Sequence, residues 1–224
     1  MGKMAKKPEI DATRGARQLH LSGRFTSAVD YARVLHIERR KGTGIPYMAH
    51  LLGVAALVMG EAGHADVTED MAIAAVLHDA AEDHGGQLRL DDIAHNFGPE
   101  VARLVEGLSD SLTEDAAQKA PWLQRKKEYL EHLRKEPADV LLISAADKLY
   151  NARAILDDYR QIGPEVWRRF KRGRDDQLWY FRELLRVFEA AGKNRIVAEL
   201  ERVTGELERI SANEKQEKLR PANS

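Results

Sequence analysis

The segment AAVLHDAAEDHGG places His78 beside Asp79 and, one helical turn on, Glu82 beside Asp83. Imidazole nitrogen and carboxylate oxygen are ligands for a divalent cation, and nearby carboxylates can orient water or move its proton. Helical residues advance by about 100° each, so the four side chains fall within an arc of roughly 140°. They close an apolar segment, where an unpaired charge is costly to bury. This combination points to metal-dependent hydrolysis. Read without a metal, the same residues are a charged helix end, with His78 facing the C-terminal dipole.

Two further residues of the right type lie on inward faces. His50 shares a helical stripe with Val54 and Leu57, and Asp147 shares one with Val140, Ile143, Asn151 and Ala154. Taken singly, His50 also reads as a hydrogen-bonded core histidine, and Asp147 as a salt-bridge partner of Lys148 or Arg153. One cation would compensate all the buried polar groups at once.

The elements that must carry these residues are helical. Apolar residues recur at helical spacing nearly throughout, and alternating β-type runs are short. The pattern predicts helices over Thr26–Ile37, Pro46–Glu61, Glu69–Asp83, Leu90–His95, Pro99–Ser109, Trp122–Lys135, Ala138–Tyr159, Pro164–Lys171, Arg174–Ala191 and Arg195–Ser211. One all-α domain over residues 23–211 follows, with a basic tail at 1–22 and a charged tail at 212–224.

Composition narrows the chemistry. With 35 basic and 36 acidic residues the net charge is −1, so no global field draws the chain to nucleic acid or to a membrane surface. The absence of cysteine excludes disulfides, thiolate zinc sites and cysteine nucleophiles. A metal must therefore sit among His, Asp, Glu and backbone oxygen. The basic start lacks the apolar stretch of a secretory signal, and no apolar run is long enough to span a bilayer. A cytoplasmic location is expected, and a homo-oligomer is left open.

In order along the chain, TSAVDYARVLH, KGTGIPYMAHLLGVAALV, MAIAAVLHDAAEDHGG, LDDIAHNFGPEVARLVEGLSD and ISAADKLYNARAI resemble the HD superfamily of metal-dependent phosphohydrolases. Within it they are most similar to the (p)ppGpp hydrolase domain of RelA/SpoT homologues and to the small stand-alone alarmone hydrolases. The resemblance implies an all-α HD-domain bundle of about ten helices. It implies His50, His78, Asp79 and Asp147 as ligands, typically to Mn²⁺, and Glu82 and Asp83 as the carboxylates that activate water and move protons. It implies hydrolysis of guanosine 3′,5′-bis(diphosphate) at the ribose 3′ position with release of pyrophosphate, so the partner is a small nucleotide. Lys41 stands where the family often has an arginine packed on the base, and Asn151 matches a residue near the nucleoside. Thr43, Tyr47 and Lys148 are further candidates for contact with substrate. Arg125 and Lys126 read as a solvated helix face rather than as substrate contacts.

The loop that would choose the base departs from the family. Lys41 replaces arginine, and the two bind and stack differently. Gly42 and Ile45 replace basic and acidic residues, Leu51 replaces a proline, and Tyr150 replaces a histidine. Adenine alarmones, the 2′-phosphate of NADPH, a nucleoside monophosphate, or nucleotide binding without catalysis are the alternatives this leaves.

Overall fold

In the computed structural model, residues 18–113 and 120–218 are described, with side chains to residue 212. The order is α1 (Gly23–Leu35), α2 (Met48–Met59), α3 (Glu69–Leu77), α4 (Ala80–Asp83), α5 (Gly86–Phe97), α6 (Pro99–Leu108), α7 (Trp122–Leu133), α8 (Ala138–Ile162), a 3-10 segment (Gly163–Arg169), α9 (Gly173–Ala191) and α10 (Arg195–Lys218). Among the described residues the extended pairing is a single antiparallel bridge, Arg39 with Pro46. The all-α expectation holds.

Two helices carry the centre. Every residue of α3 from Met71 to Leu77 is buried, as expected of a helix that is apolar all round. The first half of α8 is buried from Val140 through Asp147. α2 packs on both, α6 covers α3 and α8, and α10 lies along α8 and α9. The helices that carry the candidate ligands are thus the ones the hydrophobic effect fixes most firmly.

Local chemistry sets the boundaries. The Ser22 side chain caps α1 by accepting from Arg24 N–H, and Thr68 caps α3 by accepting from Met71 N–H. Arg24 donates to Asp70 (2.8 Å) and to the Phe97 carbonyl (2.6 Å), tying the start of α1 to α3 and to the end of α5.

The expected continuous helix Glu69–Asp83 is instead two helices, α3 and α4, hinged at His78 and Asp79. The Ala75 carbonyl, which an unbroken helix offers to the Asp79 N–H, is met by His78 Nδ1 at 2.9 Å. Three other boundaries also differ. α5 is longer than the expected Leu90–His95, because the left-handed Gly85 (φ 114°) lets a new helix start at once. Pro164–Lys171 resolves into the 3-10 segment. α10 runs to Lys218, into the stretch expected to be a tail. Residues 1–17 and 219–224 of the expected tails lie outside the described residues.

Candidate metal centre and adjoining cavity

His50 rises from the first turn of α2, His78 and Asp79 occupy the hinge between α3 and α4, and Asp147 comes from the buried half of α8. Their donor atoms converge. His50 Nε2 and His78 Nε2 are 3.2 Å apart. Asp79 Oδ2 lies 3.3 Å from the first and 3.0 Å from the second. Asp147 Oδ1 lies 3.3 and 3.7 Å from the same two nitrogens. Donors about 2.1 Å from one tetrahedral ion sit roughly 3.4 Å from one another, close to these spacings. The tightest group is His50, His78 and Asp79, and Asp147 approaches the imidazole pair from α8.

The donor set fits a cation by its chemistry as well. With Nδ1 of His78 donating to the Ala75 carbonyl, its Nε2 is left with a lone pair. That lone pair faces another imidazole and two carboxylates. These contacts are acceptor against acceptor unless a proton or a metal ion lies among them. His50 and His78 are each nearly excluded from solvent (1% and 4% exposed), so water does not relieve the conflict. Without an ion, protons take its place. Burial alone would lower His78, but Asp79 and Asp147 outweigh it and hold its pKa well above the usual histidine range. Burial would raise Asp79, and the two imidazoles hold it well below. For His50 burial prevails and the pKa is lowered.

A ring of hydrogen bonds orients the candidate ligands. Tyr47 Oη donates to Asp79 Oδ2 at 2.7 Å. Asn151 Nδ2 donates to Asp147 Oδ1 at 2.6 Å, and Lys148 Nζ donates to Asp147 Oδ2 at 2.5 Å. Lys148 prevails over burial, first among the opposing charges, and holds Asp147 well below its usual range.

Glu82 and Asp110 form a second pairing beside the candidate ligands. Glu82 Oε2 accepts the Asp110 backbone N–H at 3.1 Å, and their carboxyl groups are hydrogen-bonded as well. Burial, then the Asp110 charge, push Glu82 up to about 8. Asp110 moves the other way. Against the effect of burial, Lys126, the Glu82 hydrogen bond and Arg125 bring it down to about 2. At neutral pH Glu82 therefore keeps its proton while Asp110 is ionised. Asp83 ends the same short turn and is exposed, with its charge reaching Tyr47.

The cavity next to the cluster has a volume of about 820 Å³. Lys41, Thr43 and Tyr47 line it as expected, together with Arg40, Tyr150 and Arg169. Tyr47 is shared, lining the cavity while holding Asp79. Beside Lys41, Arg40 makes contacts with the polar and aromatic groups of the site. Its Nη2 donates to Asn151 Oδ1 at 2.7 Å, and its guanidinium lies 5.8 Å from the ring centroids of both Tyr47 and Tyr150. Lys41 is exposed. The segment Arg39-Arg40-Lys41 is a basic run without periodicity, so a one-residue choice within it had no local signal. Thr43 also shapes the loop, its hydroxyl donating to the Arg40 carbonyl and accepting from the Ile45 N–H. Lys148 does not line the cavity, being committed to Asp147.

Arg125 and Lys126 are not the solvated face expected. Both reach Asp110 at 2.6 Å, with side chains less than a fifth exposed. Asp110 itself was missed, because it lies in an irregular segment after α6 where no period marks an inward position.

Comparison with known proteins gives a consistent pattern. The family model described as HD domain matches residues 28–177. The human guanosine-3′,5′-bis(diphosphate) 3′-pyrophosphohydrolase MESH1 is 34% identical over 148 residues, covering 65% of this chain and 75% of that protein. A solved metazoan orthologue of SpoT, described as hydrolysing ppGpp with a role in starvation responses, superposes with a TM-score of 0.66 at 25% identity, covering 84% of this chain and 97% of that one. The crystal structure of lmo0812 from Listeria monocytogenes EGD-e superposes with a TM-score of 0.57 at 32% identity, covering 69% and 96%.

Proposed function

The chain belongs to the HD-domain family, and on that premise we propose that it is a metal-dependent phosphohydrolase that removes pyrophosphate from the ribose 3′ position of guanosine 3′,5′-bis(diphosphate). The observation that carries this reading is the convergence of His50, His78, Asp79 and Asp147 within 3.0–3.7 Å, beside Glu82, whose pKa burial raises to about 8, and joined through Tyr47 to a cavity walled by Arg40 and Lys41. The names of the relatives supply the substrate class.

In this reading the four residues would hold a divalent ion; nitrogen and oxygen donors suit Mn, Fe, Mg or Zn, and the resemblance to the HD phosphohydrolases favours Mn²⁺. Such an ion, when bound, makes water a better nucleophile and stabilises charge growing on phosphate oxygens. The protein's own groups do the rest. Tyr47, Asn151 and Lys148 fix the ligand carboxylates. Water adds to the α-phosphorus of the 3′ diphosphate, the one bonded to the ribose oxygen, the bond between that phosphorus and the 3′ oxygen breaks, and pyrophosphate leaves. The departing 3′ oxygen takes a proton, and Glu82 is the group that holds one at neutral pH. Asp83, on the same turn, accepts the proton lost by water. Arg40 stands against the nucleoside, stacked with Tyr47 and Tyr150, while Lys41 and Thr43 face the same space.

The test is product analysis with Mn²⁺ over ppGpp, ppApp, NADPH and nucleoside monophosphates. Pyrophosphate released from ppGpp is expected, with a loss of at least about 100-fold in Asp147→Ala. Orthophosphate as the main product, or undiminished turnover in that variant, would refute the reading.

A further inference from the structure

A second set of ligand-type side chains lies outside the cluster already described. His36 ends α1, Glu38 follows two residues later, and His84 ends α4. One donor atom from each lies within 4.8 Å of the others. His36 Nδ1 is 2.8 Å from Glu38 Oε1, and the same oxygen is 3.6 Å from His84 Nε2. The two imidazoles meet edge to face, with ring centroids 4.5 Å apart.

The backbone builds this arrangement. His36 has left the helix (φ −96°, ψ 76°). Its side chain turns inward and meets the partly exposed Glu38, while Ile37 between them is 86% exposed. His84 is brought in by the turn after α4, where Gly85 takes a left-handed conformation and Arg89 Nε donates to the His84 carbonyl at 2.9 Å.

Hydrogen bonding leaves the set incomplete. His36 is 3% exposed, yet its Nε2 has no hydrogen-bond partner among the described residues, and neither does the buried His84 Nε2. A buried imidazole nitrogen without a partner is uncommon in folded proteins. Two imidazoles and one carboxylate, with no thiolate in the chain, match the donor set of a zinc site that keeps a position for water.

We infer that His36, Glu38 and His84 form a second divalent-cation site, able to take zinc and distinct from the centre at His50, His78, Asp79 and Asp147. Its place in the fold indicates a tether. It would join the end of α1 and the end of α4 to the loop that carries Arg40 and Tyr47. His36 stacks on the Tyr47 ring with centroids 5.1 Å apart, and the Glu38 carbonyl accepts the Tyr47 N–H at 3.0 Å. Tyr47 in turn holds Asp79. This inference does not depend on which nucleotide is hydrolysed.

The experiment counts zinc. Untagged full-length protein, stripped with chelator, is dialysed to equilibrium against Zn²⁺ and its bound metal measured by mass spectrometry, with circular dichroism checking the fold. The wild type is expected to bind two equivalents. His84→Ala and the isosteric Glu38→Gln are each expected to bind one equivalent fewer. Asp147→Ala probes the other centre, so it should lose the other equivalent, and His84→Ala combined with Asp147→Ala should lose both. Wild-type zinc content retained in either His84→Ala or Glu38→Gln overturns the site. Loss in Asp147→Ala alone leaves the first centre standing and removes the second.

Discussion

At the scale of single residues, the site is a set of opposed charges whose balance is set by burial. Glu82 and Asp110 show this most directly, since two carboxyl groups in contact divide one proton unequally. Glu82 is raised to about 8 from an ordinary 4.5, so its neutral form is the one the fold favours. Its contribution to stability is full at acid pH and is lost as pH rises from 4.5 towards 8. Asp110, lowered to about 2, contributes in the opposite sense, and its share is lost as pH falls through that value. If Glu82 protonates the leaving oxygen, turnover falls on the alkaline side as Glu82 ionises. Asp110→Asn removes the neighbouring charge that raises Glu82. The alkaline limb of the kcat–pH profile should then move to lower pH, whereas an unchanged limb would detach Glu82 from that step. Tyr47→Phe deletes the hydrogen bond to Asp79 while keeping the ring. Loss of such an orienting contact typically costs about 10- to 100-fold in metal affinity, measurable by Mn²⁺ titration.

At the scale of elements, the hinge at His78 matters more than either helix it separates. At this break Asp79 meets His50 of α2, and Glu82, within α4, meets Asp110. The approach of α2 to α8 depends on Gly53. A Cβ at that position would come within 2.1 Å of the Tyr150 ring, which packs on His50 with centroids 5.1 Å apart and lines the cavity. Gly53→Ala therefore has to displace Tyr150. Overpacking of this kind costs about 1–3 kcal/mol. The variant should show a lower denaturant midpoint and a raised KM for the nucleotide, because both the wall of the cavity and the seat of His50 move. A denaturant curve and a KM equal to wild type would show that α8 yields without loss.

At the scale of the whole molecule, the candidate metal centre joins α2, the α3–α4 hinge and α8, three parts far apart in the chain. An ion bound there adds its binding energy to the folded state alone. At 100 times its Kd that is about 2.7 kcal/mol. For a domain of this size it corresponds to a rise in Tm of roughly 5–10 °C. Thermal melts with Mn²⁺ and with chelator should differ by about that amount, and the difference should shrink in Asp147→Ala. Much of this architecture was legible in the chain. The helical period, the proline and glycine punctuation and the inward His50, His78 and Asp147 depend on local order, and a helix enforces local order wherever it forms. That period also located α8 and its buried half. Other features depend on contacts between residues far apart, for which no local pattern exists. Tertiary packing decided that Arg40 rather than Lys41 meets Asn151, more than a hundred residues away. It decided that Arg125 and Lys126 fold onto Asp110. It also assembled His36, Glu38 and His84, which lie in a loop and two helix ends where periodicity has already stopped. The sequence by itself determined which donors exist and which helices carry them. Only the tertiary structure decided which of them meet, because burial and charge pairing are settled between elements.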